Sequence, residues 1–298
     1  MCGIVGLLIK DPKQRHRLGE WMVPMLVGMT ERGPDSAGMA VFGKPVSEKR
    51  RKLSLYAGAP GFDWKTFEKS ARKALDAKLS LIVKVNHGVL ETAHDPEKAR
   101  QWLAADYPAL HLLSIGRSID LYKDTGLPAE VAERYGFGGL RGTHVVGHTR
   151  MATESAVTPA HAHPFTAGED FCLVHNGSLS NPFSIRRKLE ALGVHFDTDN
   201  DTEAATRFLA WRMGEGDSLK EALQKGFEQF DGFYTFLMGT QDELAIVRDA
   251  FSCKPAIVAE TDEYVAISSE FRSLAHLPGV KNASLFEPKP EEMYVWRA

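Results

Sequence analysis

Position 2 is a cysteine, and the methionine before it is of the kind removed when a small side chain follows. Removal of Met1 would leave Cys2 with a thiol and a free α-amine on one residue. The thiolate is the nucleophilic form of cysteine, and an ordinary thiol is only partly ionised at neutral pH. An α-amine titrates near about 8, well below a lysine. It can accept the thiol proton and later donate one to a departing amine. Nucleophile and base then share one residue and need no separate histidine. With Met1 attached, the nitrogen is an amide and the base is lost. Taken by position alone, Cys2 is an ordinary small buried residue. The flanking Gly3 and Gly6, which let other segments approach closely, make it a candidate nucleophile.

The elements that must position Cys2 are partly legible. Residues 3–9 read as a buried strand. A helix is predicted over about 17–30, ending near Gly33-Pro34, and Gly38 to Phe42 reads as a second strand. Residues 44–140 have a different texture. They hold a basic run, Lys49-Arg50-Arg51-Lys52, expected as a solvated loop. They also hold a helix at Trp64–Lys78, a strand at Leu79–Val85 and a helix at Pro128–Tyr135, without a strong chemical motif. From Thr143 onward, His144–Arg150 and Phe171–His175 read as strands ending in polar residues. Asn181-Pro182 opens one helix. Another starts at Asp201-Thr202-Glu203, with its acids near the positive end, and runs to about Met213. Ser218 to Phe230 is a third. Short strands are predicted at Phe233–Met238, Leu244–Arg248, Ala256–Ala259, Tyr264–Ile267 and Met293–Trp296. Runs of strands with paired helices between them suggest sheets packed face to face under helices.

Five motifs resemble, in order, those of the class II (N-terminal-nucleophile) glutamine amidotransferases. They are Met1-Cys2-Gly3-Ile4-Val5-Gly6, Arg32-Gly33-Pro34-Asp35-Ser36-Ala37-Gly38, Gly147-His148-Thr149-Arg150-Met151-Ala152-Thr153, His175-Asn176-Gly177-Ser178-Leu179-Ser180-Asn181 and Asp199-Asn200-Asp201-Thr202-Glu203. The resemblance implies an α+β fold, a four-layer αββα sandwich, over residues 2–298 as a single domain with a family-variable insertion at about 44–140. It also implies hydrolysis of the glutamine side-chain amide. By the same likeness Cys2 is the nucleophile, and Asn176 with the backbone N–H of Gly177 forms the oxyanion hole. Arg150, helped by Thr153, grips the substrate α-carboxylate. Asp201 accepts the α-ammonium, and Arg32 organises the loop beside the nucleophile.

The roles make physical sense unaided. The α-carbon of glutamine is a zwitterion, so its pocket needs a cation and an anion. The guanidinium fork of Arg150 suits a carboxylate. An Asn-Gly turn after a strand can aim two N–H donors at one point, and losing such a donor typically costs about 10²–10³ in turnover. Taken singly, the parts have plainer readings. Asn176-Gly177 suits a hairpin turn, Arg150 a surface ion pair, Asp201 a helix cap and Arg32-Gly33-Pro34-Asp35 a turn. One mechanism needs all of them, and they occur in its order.

His148-Thr149-Arg150-Met151-Ala152-Thr153-Glu154-Ser155, Pro159 and His163-Pro164-Phe165 look like the glutaminase of glutamate synthase. They resemble still more the small amidotransferase subunit of N-methylglutamate synthase. That likeness implies a separate glutamate-synthase-like subunit as ammonia acceptor and partner, carrying FMN and iron–sulfur clusters, with no cofactor in this chain. With a strand expected at Met293–Trp296, a synthase domain is expected on another polypeptide. Met151 departs from the aromatic residue common in the family. Glu154-Ser155 departs from the His-Gly of the hexosamine-forming branch. Ser268-Ser269-Glu270 sits where the phosphoribosyl branch has a similar Ser-Glu, and no role follows from it. The insertion is a candidate partner-docking or regulatory surface.

Composition excludes other classes. The 298 residues carry a net charge of −3, which offers no basic field for nucleic acid. No apolar run is long enough for a bilayer span. Three scattered cysteines form no disulfide framework, so a reducing cytoplasm is expected. A metal-dependent hydrolase is one rival, because His144, His148, His161, His163 and His175 lie close in sequence. Their setting, however, lacks the helical His-Glu-x-x-His frame, and no metal is expected. Another rival is an N-terminal-nucleophile amidase or acylase of different specificity, which would not need Arg150 and Asp201. A third is a non-catalytic glutamine sensor.

Overall fold

The computed structural model describes residues 2–58, 61–152 and 157–298. Strands and helices are numbered in chain order. One sheet contains β1 (Gly3–Ile9), β2 (Ser36–Phe42), β7 (Ile119–Thr125), β8 (His144–Arg150), β13 (Ile257–Glu260), β14 (Tyr264–Ser268) and β15 (Ser284–Phe286), in the order β15-β13-β14-β1-β8-β2-β7. A second contains β9 (Phe165–Thr166), β10 (Cys172–Leu179), β11 (Gly232–Gly239), β12 (Glu243–Arg248) and β16 (Tyr294–Arg297), in the order β16-β12-β11-β10-β9. The named strands pair antiparallel throughout.

The two sheets pack face to face. Ile4 and Leu8 of β1 point into the layer between them, with Val146, Val174, Leu237 and Ile267. Val5, Leu7 and Ile9 point the other way, towards α1 (Leu18–Val27) and α4 (Pro128–Arg134). A strand covered on both faces needs an uninterrupted apolar run rather than alternation, and β1 has one. The outer face of the second sheet is covered by α5 (Pro182–Glu190), α6 (Asp201–Gly214) and α7 (Leu219–Phe227), through Leu173, Phe208, Leu223 and Phe236. The result is the expected α+β architecture of helix, sheet, sheet and helix layers. Each fully buried Val, Leu, Ile or Phe in these layers contributes roughly 1.5–3 kcal/mol.

Residues 51–116 build a third sheet, β3 (Arg51–Ala57), β4 (Ser80–Lys84), β5 (His87–Thr92) and β6 (Leu110–Gly116), in the order β4-β5-β3-β6. With α2 (Trp64–Ala74) and α3 (Pro96–Asp106) it encloses its own core around Leu53, Phe67, Leu90 and Leu103. Asp170 fastens this unit to the second sheet. Its carboxylate accepts from Arg117 N at 2.7 Å, Ser118 N at 2.8 Å and Ile119 N at 2.9 Å.

Several expectations need correction. The basic run is no solvated loop: Arg51 and Lys52 open β3, and Lys52 is buried against Asp120 at 2.8 Å. Arg50 bonds Glu91 at 2.5 Å. Charge pairing thus pulls into a strand residues that look solvent-bound. The helix from Trp64 stops at Ala74 rather than Lys78. The strand expected to end at His175 runs on to Leu179, which changes the setting of Asn176 and Gly177.

Candidate active site

Cys2 lies just before β1, between β8 and β14. Gly3 pairs with Thr149 and Val5 with Ser268, so the chain start is level with the end of β8. Arg32, from the turn after α1, donates from Nε to the Cys2 carbonyl at 3.0 Å and from Nη1 to Glu270 Oε1 at 3.2 Å. Ser269 Oγ accepts from Ile4 N at 3.0 Å. Ser269 and Glu270, left without a role by sequence, therefore hold the Cys2 end of β1. Only the Ser-Ser-Glu likeness signalled them.

Burial is the main influence on the Cys2 thiol and pushes its pKa up. A hydrogen bond with the Met151 backbone and the charges of Arg150 and Arg32 pull the other way. A thiol raised by burial stays protonated at neutral pH and needs a local proton acceptor to become a nucleophile.

The Arg32-Gly33-Pro34-Asp35 turn grips the end of β8. A Cβ on Gly33 would sit 2.4 Å from the Thr149 carbonyl carbon and 2.5 Å from Arg150 N, so only glycine fits there. Asp35 N donates to the Arg150 carbonyl at 3.1 Å, and Asp35 Oδ2 accepts from Ala152 N at 2.7 Å. This fixes Arg150, which is buried at the last position of β8. Met1 and Thr153 lie outside the described residues.

The sheets are linked at the same level, where His148 Nε2 donates to the His175 carbonyl at 3.1 Å. One residue further along β10 lies Asn176, buried, its side-chain amide nitrogen without a hydrogen-bond partner among the described residues. A buried unpaired donor costs roughly 1–3 kcal/mol and calls for a reason. Asn176 and Gly177 form no turn. They pair with Thr235 and Tyr234 inside the β10–β11 ladder. Gly177 has φ 141°, and a Cβ on it would lie 2.0 Å from the Phe233 carbonyl oxygen. The glycine thus supplies a local kink within a strand rather than a hairpin tip.

Asp201 opens α6. Its Oδ2 accepts from Leu179 N at 2.9 Å, just past the kink. Burial alone would raise this carboxyl, but His175 and the N–H donors of Leu179 and Thr202 outweigh it and bring it down to about 2. The carboxylate is therefore ionised. Beside it, Thr202 Oγ1 meets His163 Nε2 at 2.9 Å and His175 Nδ1 at 3.1 Å. His163 stacks on His148 with ring centroids 4.1 Å apart. Burial pulls His148 down to about 3 and His163 well below its ordinary value, so both rings are neutral.

Of the five clustered histidines, His148, His163 and His175 meet here. His144 stacks on Phe42 between the sheets, and His161 bonds Asp199 at 3.3 Å. Among the described residues no three His, Cys, Asp or Glu side chains are grouped to hold a metal ion. The Thr202–histidine network was missed at the sequence level, because nothing in the spacing of these residues reveals that they meet.

Cys2 ahead of β1, the buried Asn176 amide in β10 and the ionised Asp201 carboxylate at the start of α6 are the groups here whose chemistry suits cleavage of an amide. Residues 148–276 match the family model for a glutamine amidotransferase domain. The chain is 43% identical over 297 residues to the glutamine amidotransferase-like protein GlxB of Rhizobium meliloti, covering 99% of this chain and 98% of that protein. It is 33% identical to a putative glutamine amidotransferase of Methanothermobacter thermautotrophicus, covering 99% of each. The fold matches the glutamine phosphoribosylpyrophosphate amidotransferase of B. subtilis with a TM-score of 0.63 at 18% identity, over 99% of this chain and 47% of that one. The chain belongs to the glutamine amidotransferase family, and within it is a class II enzyme acting on the glutamine amide. Among the described residues no helix is long and apolar enough to cross a membrane.

Proposed function

We propose that this chain is a glutaminase subunit that hydrolyses L-glutamine through Cys2 and hands ammonia to a separate synthase subunit. The observation that carries the reading is the buried Asn176 amide, which has no partner among the described residues, beside the kinked Gly177. A buried side-chain N–H with no partner among the described residues, next to a backbone kink, suits an oxyanion.

In this cycle the Cys2 α-amine, exposed by loss of Met1, takes the thiol proton. The thiolate attacks the glutamine Cδ, and the charge on its oxygen falls to Asn176 and the Gly177 N–H. Collapse of the tetrahedral adduct breaks the C–N bond, and the α-ammonium protonates the leaving ammonia. Water then attacks the thioester, giving glutamate and free thiol. Arg150, with Thr153, holds the substrate carboxylate, Asp201 holds the ammonium, and Arg32 keeps the Cys2 carbonyl in place. The ionised state of Asp201 supports its part. The chain is read as one amidotransferase domain whose residues 44–140 form an insertion that meets the partner. The likeness of residues 148–155 and 159–165 to N-methylglutamate synthase supports a glutamate-synthase-like partner. FMN and iron–sulfur clusters would sit on that partner, in the cytoplasm.

The test is glutamate and ammonia release by protein whose intact mass shows Met1 removed, with Cys2→Ala as the comparison. Turnover lost in Cys2→Ala with an unchanged melting curve is expected. Undiminished release by that variant would end the proposal. Glutamine binding without release, in the presence of co-purified partners, would favour the sensor reading. Equal turnover of amides lacking an α-amino-acid head would favour a general amidase.

A further inference from the structure

Lys123 lies in β7, the edge strand of the seven-stranded sheet, and its side chain is buried. A lysine seldom enters an interior unless a carboxylate accompanies it. Among the described residues its ammonium instead meets backbone carbonyls: Ala162 O at 2.8 Å, Pro164 O at 3.4 Å and Ala160 O at 3.5 Å. It also lies 4.9 Å from the centre of the Phe165 ring. Three carbonyl dipoles aimed at one buried point repel one another, and a group with three donors and a positive charge reconciles them. Burial draws this ammonium down to about 8, against the more distant Glu203 and Asp197, so it remains mostly charged at pH 7.

The carbonyls belong to the segment between Arg150 and β9. Its other ties run to the residues around Asp201: His161 Nε2 to Asp199 Oδ1 at 3.3 Å, and His163 Nε2 to Thr202 Oγ1 at 2.9 Å. One face of the segment is fixed to the helix start that carries the ammonium acceptor. The other is fixed by Lys123. Lys123 is itself seated from the insertion side, where its N–H meets His87 Nε2 at 3.4 Å.

We propose that Lys123 is a positioning residue for glutamine, holding the 158–164 segment so that Arg150 and Asp201 bracket the α-amino-acid head group. The proposal rests on the glutaminase reading and adds to it a residue that none of the five motifs contains. Lys123 acts on binding of the head and leaves the thiol chemistry alone.

The experiment compares wild type, Lys123→Met and Lys123→Gln in the full, processed chain. It reads KM and kcat for glutamine, and inactivation by two reagents. One is 6-diazo-5-oxo-L-norleucine, which carries the amino-acid head. The other is iodoacetamide, which does not. Labelling is followed on the Cys2 peptide by mass, because Cys253 is exposed and would react too. In Lys123→Met, KM should rise about tenfold or more with kcat within about threefold. Diazo-oxonorleucine labelling should slow by a similar factor and iodoacetamide labelling should not change. Lys123→Gln, which keeps two donors, should fall between. Unchanged KM and diazo-oxonorleucine labelling in either folded variant would overturn the proposal, and so would equal slowing of both reagents, the mark of a general loosening. If Lys123→Met does not fold, Lys123→Gln carries the same comparison. Failure of the wild type to release glutamate would instead strike the glutaminase reading.

Discussion

Asp201→Asn separates charge from shape at the head-group site. The carboxyl drops from its ordinary 3.8 to about 2 in the fold. At about 1.4 kcal/mol per tenfold change in acidity, that is on the order of 2 kcal/mol of stability. A depressed carboxyl stabilises the fold above its unfolded pKa, and the effect fades as the pH falls through the folded one. The difference between wild type and Asp201→Asn should thus be full at pH 7 and shrink between about pH 4 and 2. The amide retains an oxygen for Leu179 N, now at 2.9 Å from Oδ2. It offers no charge to a substrate ammonium, and a hydrogen bond to a charged group is worth roughly 1.5–3 kcal/mol. KM for glutamine should therefore rise roughly 10- to 100-fold, with kcat far less affected. Melting should fall by a few degrees, at about 2–4 °C per kcal/mol for a chain of this class. The assays are steady-state glutamate release and thermal unfolding across pH. A folded Asp201→Asn protein with KM within twofold of wild type would refute the assignment of Asp201 to the ammonium.

Two further outcomes follow from the same geometry. In Gly177→Ala the new methyl carbon would meet the Phe233 oxygen at 2.0 Å and demand φ 141° of an alanine; kcat should fall about 10²–10³ as the N–H turns away, and near-normal turnover would remove Gly177 from the oxyanion site. Asp170→Ala would strip acceptors from the N–H groups of Arg117, Ser118 and Ile119. At roughly 1–3 kcal/mol for each buried donor left unpaired, the melting temperature should drop by roughly 10 °C, while KM measured well below the transition stays near wild type. An unchanged melting curve would contradict the fastening role.

How much of this was legible depended on how local the signal was. Cys2, Arg32, Arg150, Asn176, Gly177 and Asp201 stood out as candidates because each lies in a contiguous motif. Of these, Asn176-Gly177 sits in a setting the sequence does not suggest. Asn-Gly favours a hairpin tip, but the sequence does not reveal that Phe233 and Tyr234 pair alongside and carry the strand onward. The α1, α5 and α6 helices were marked by residues at their ends, Gly33-Pro34, Asn181-Pro182 and Asp201-Thr202-Glu203, although the Asn181 side chain makes no capping bond. In α7 the Ser218–Glu221 box closes with Ser218 N donating to Glu221 Oε2 at 2.8 Å. Residues 51–116 resisted because their strands carry charges: β3 begins Arg51-Lys52, and its charges are satisfied by Glu169 and Asp120, far away in sequence. Lys123 gave no signal, and Thr202, though inside the fifth motif, gave no hint of its histidine contacts, since the partners lie 37–41 residues and 27–39 residues away.

The arrangement also says where control must enter. Cys2, Arg150 and Asn176 are held by ladders: Gly3 against Thr149, Arg150 against Ser36, Asn176 against Thr235. Ladders buried between apolar layers do not adjust by fractions, because a change of register moves every side chain to the other face. Cys2, Asn176 and Gly177 are thus rigid by construction. The segment from 158 to 164 is different. It is held by side chains, through Lys123, His161 and His163, and each such bond nets only about 1 kcal/mol. A signal from the insertion would therefore act more readily on closure around the head group than on the thiol. Coupling of that kind would appear in KM for glutamine before it appeared in kcat.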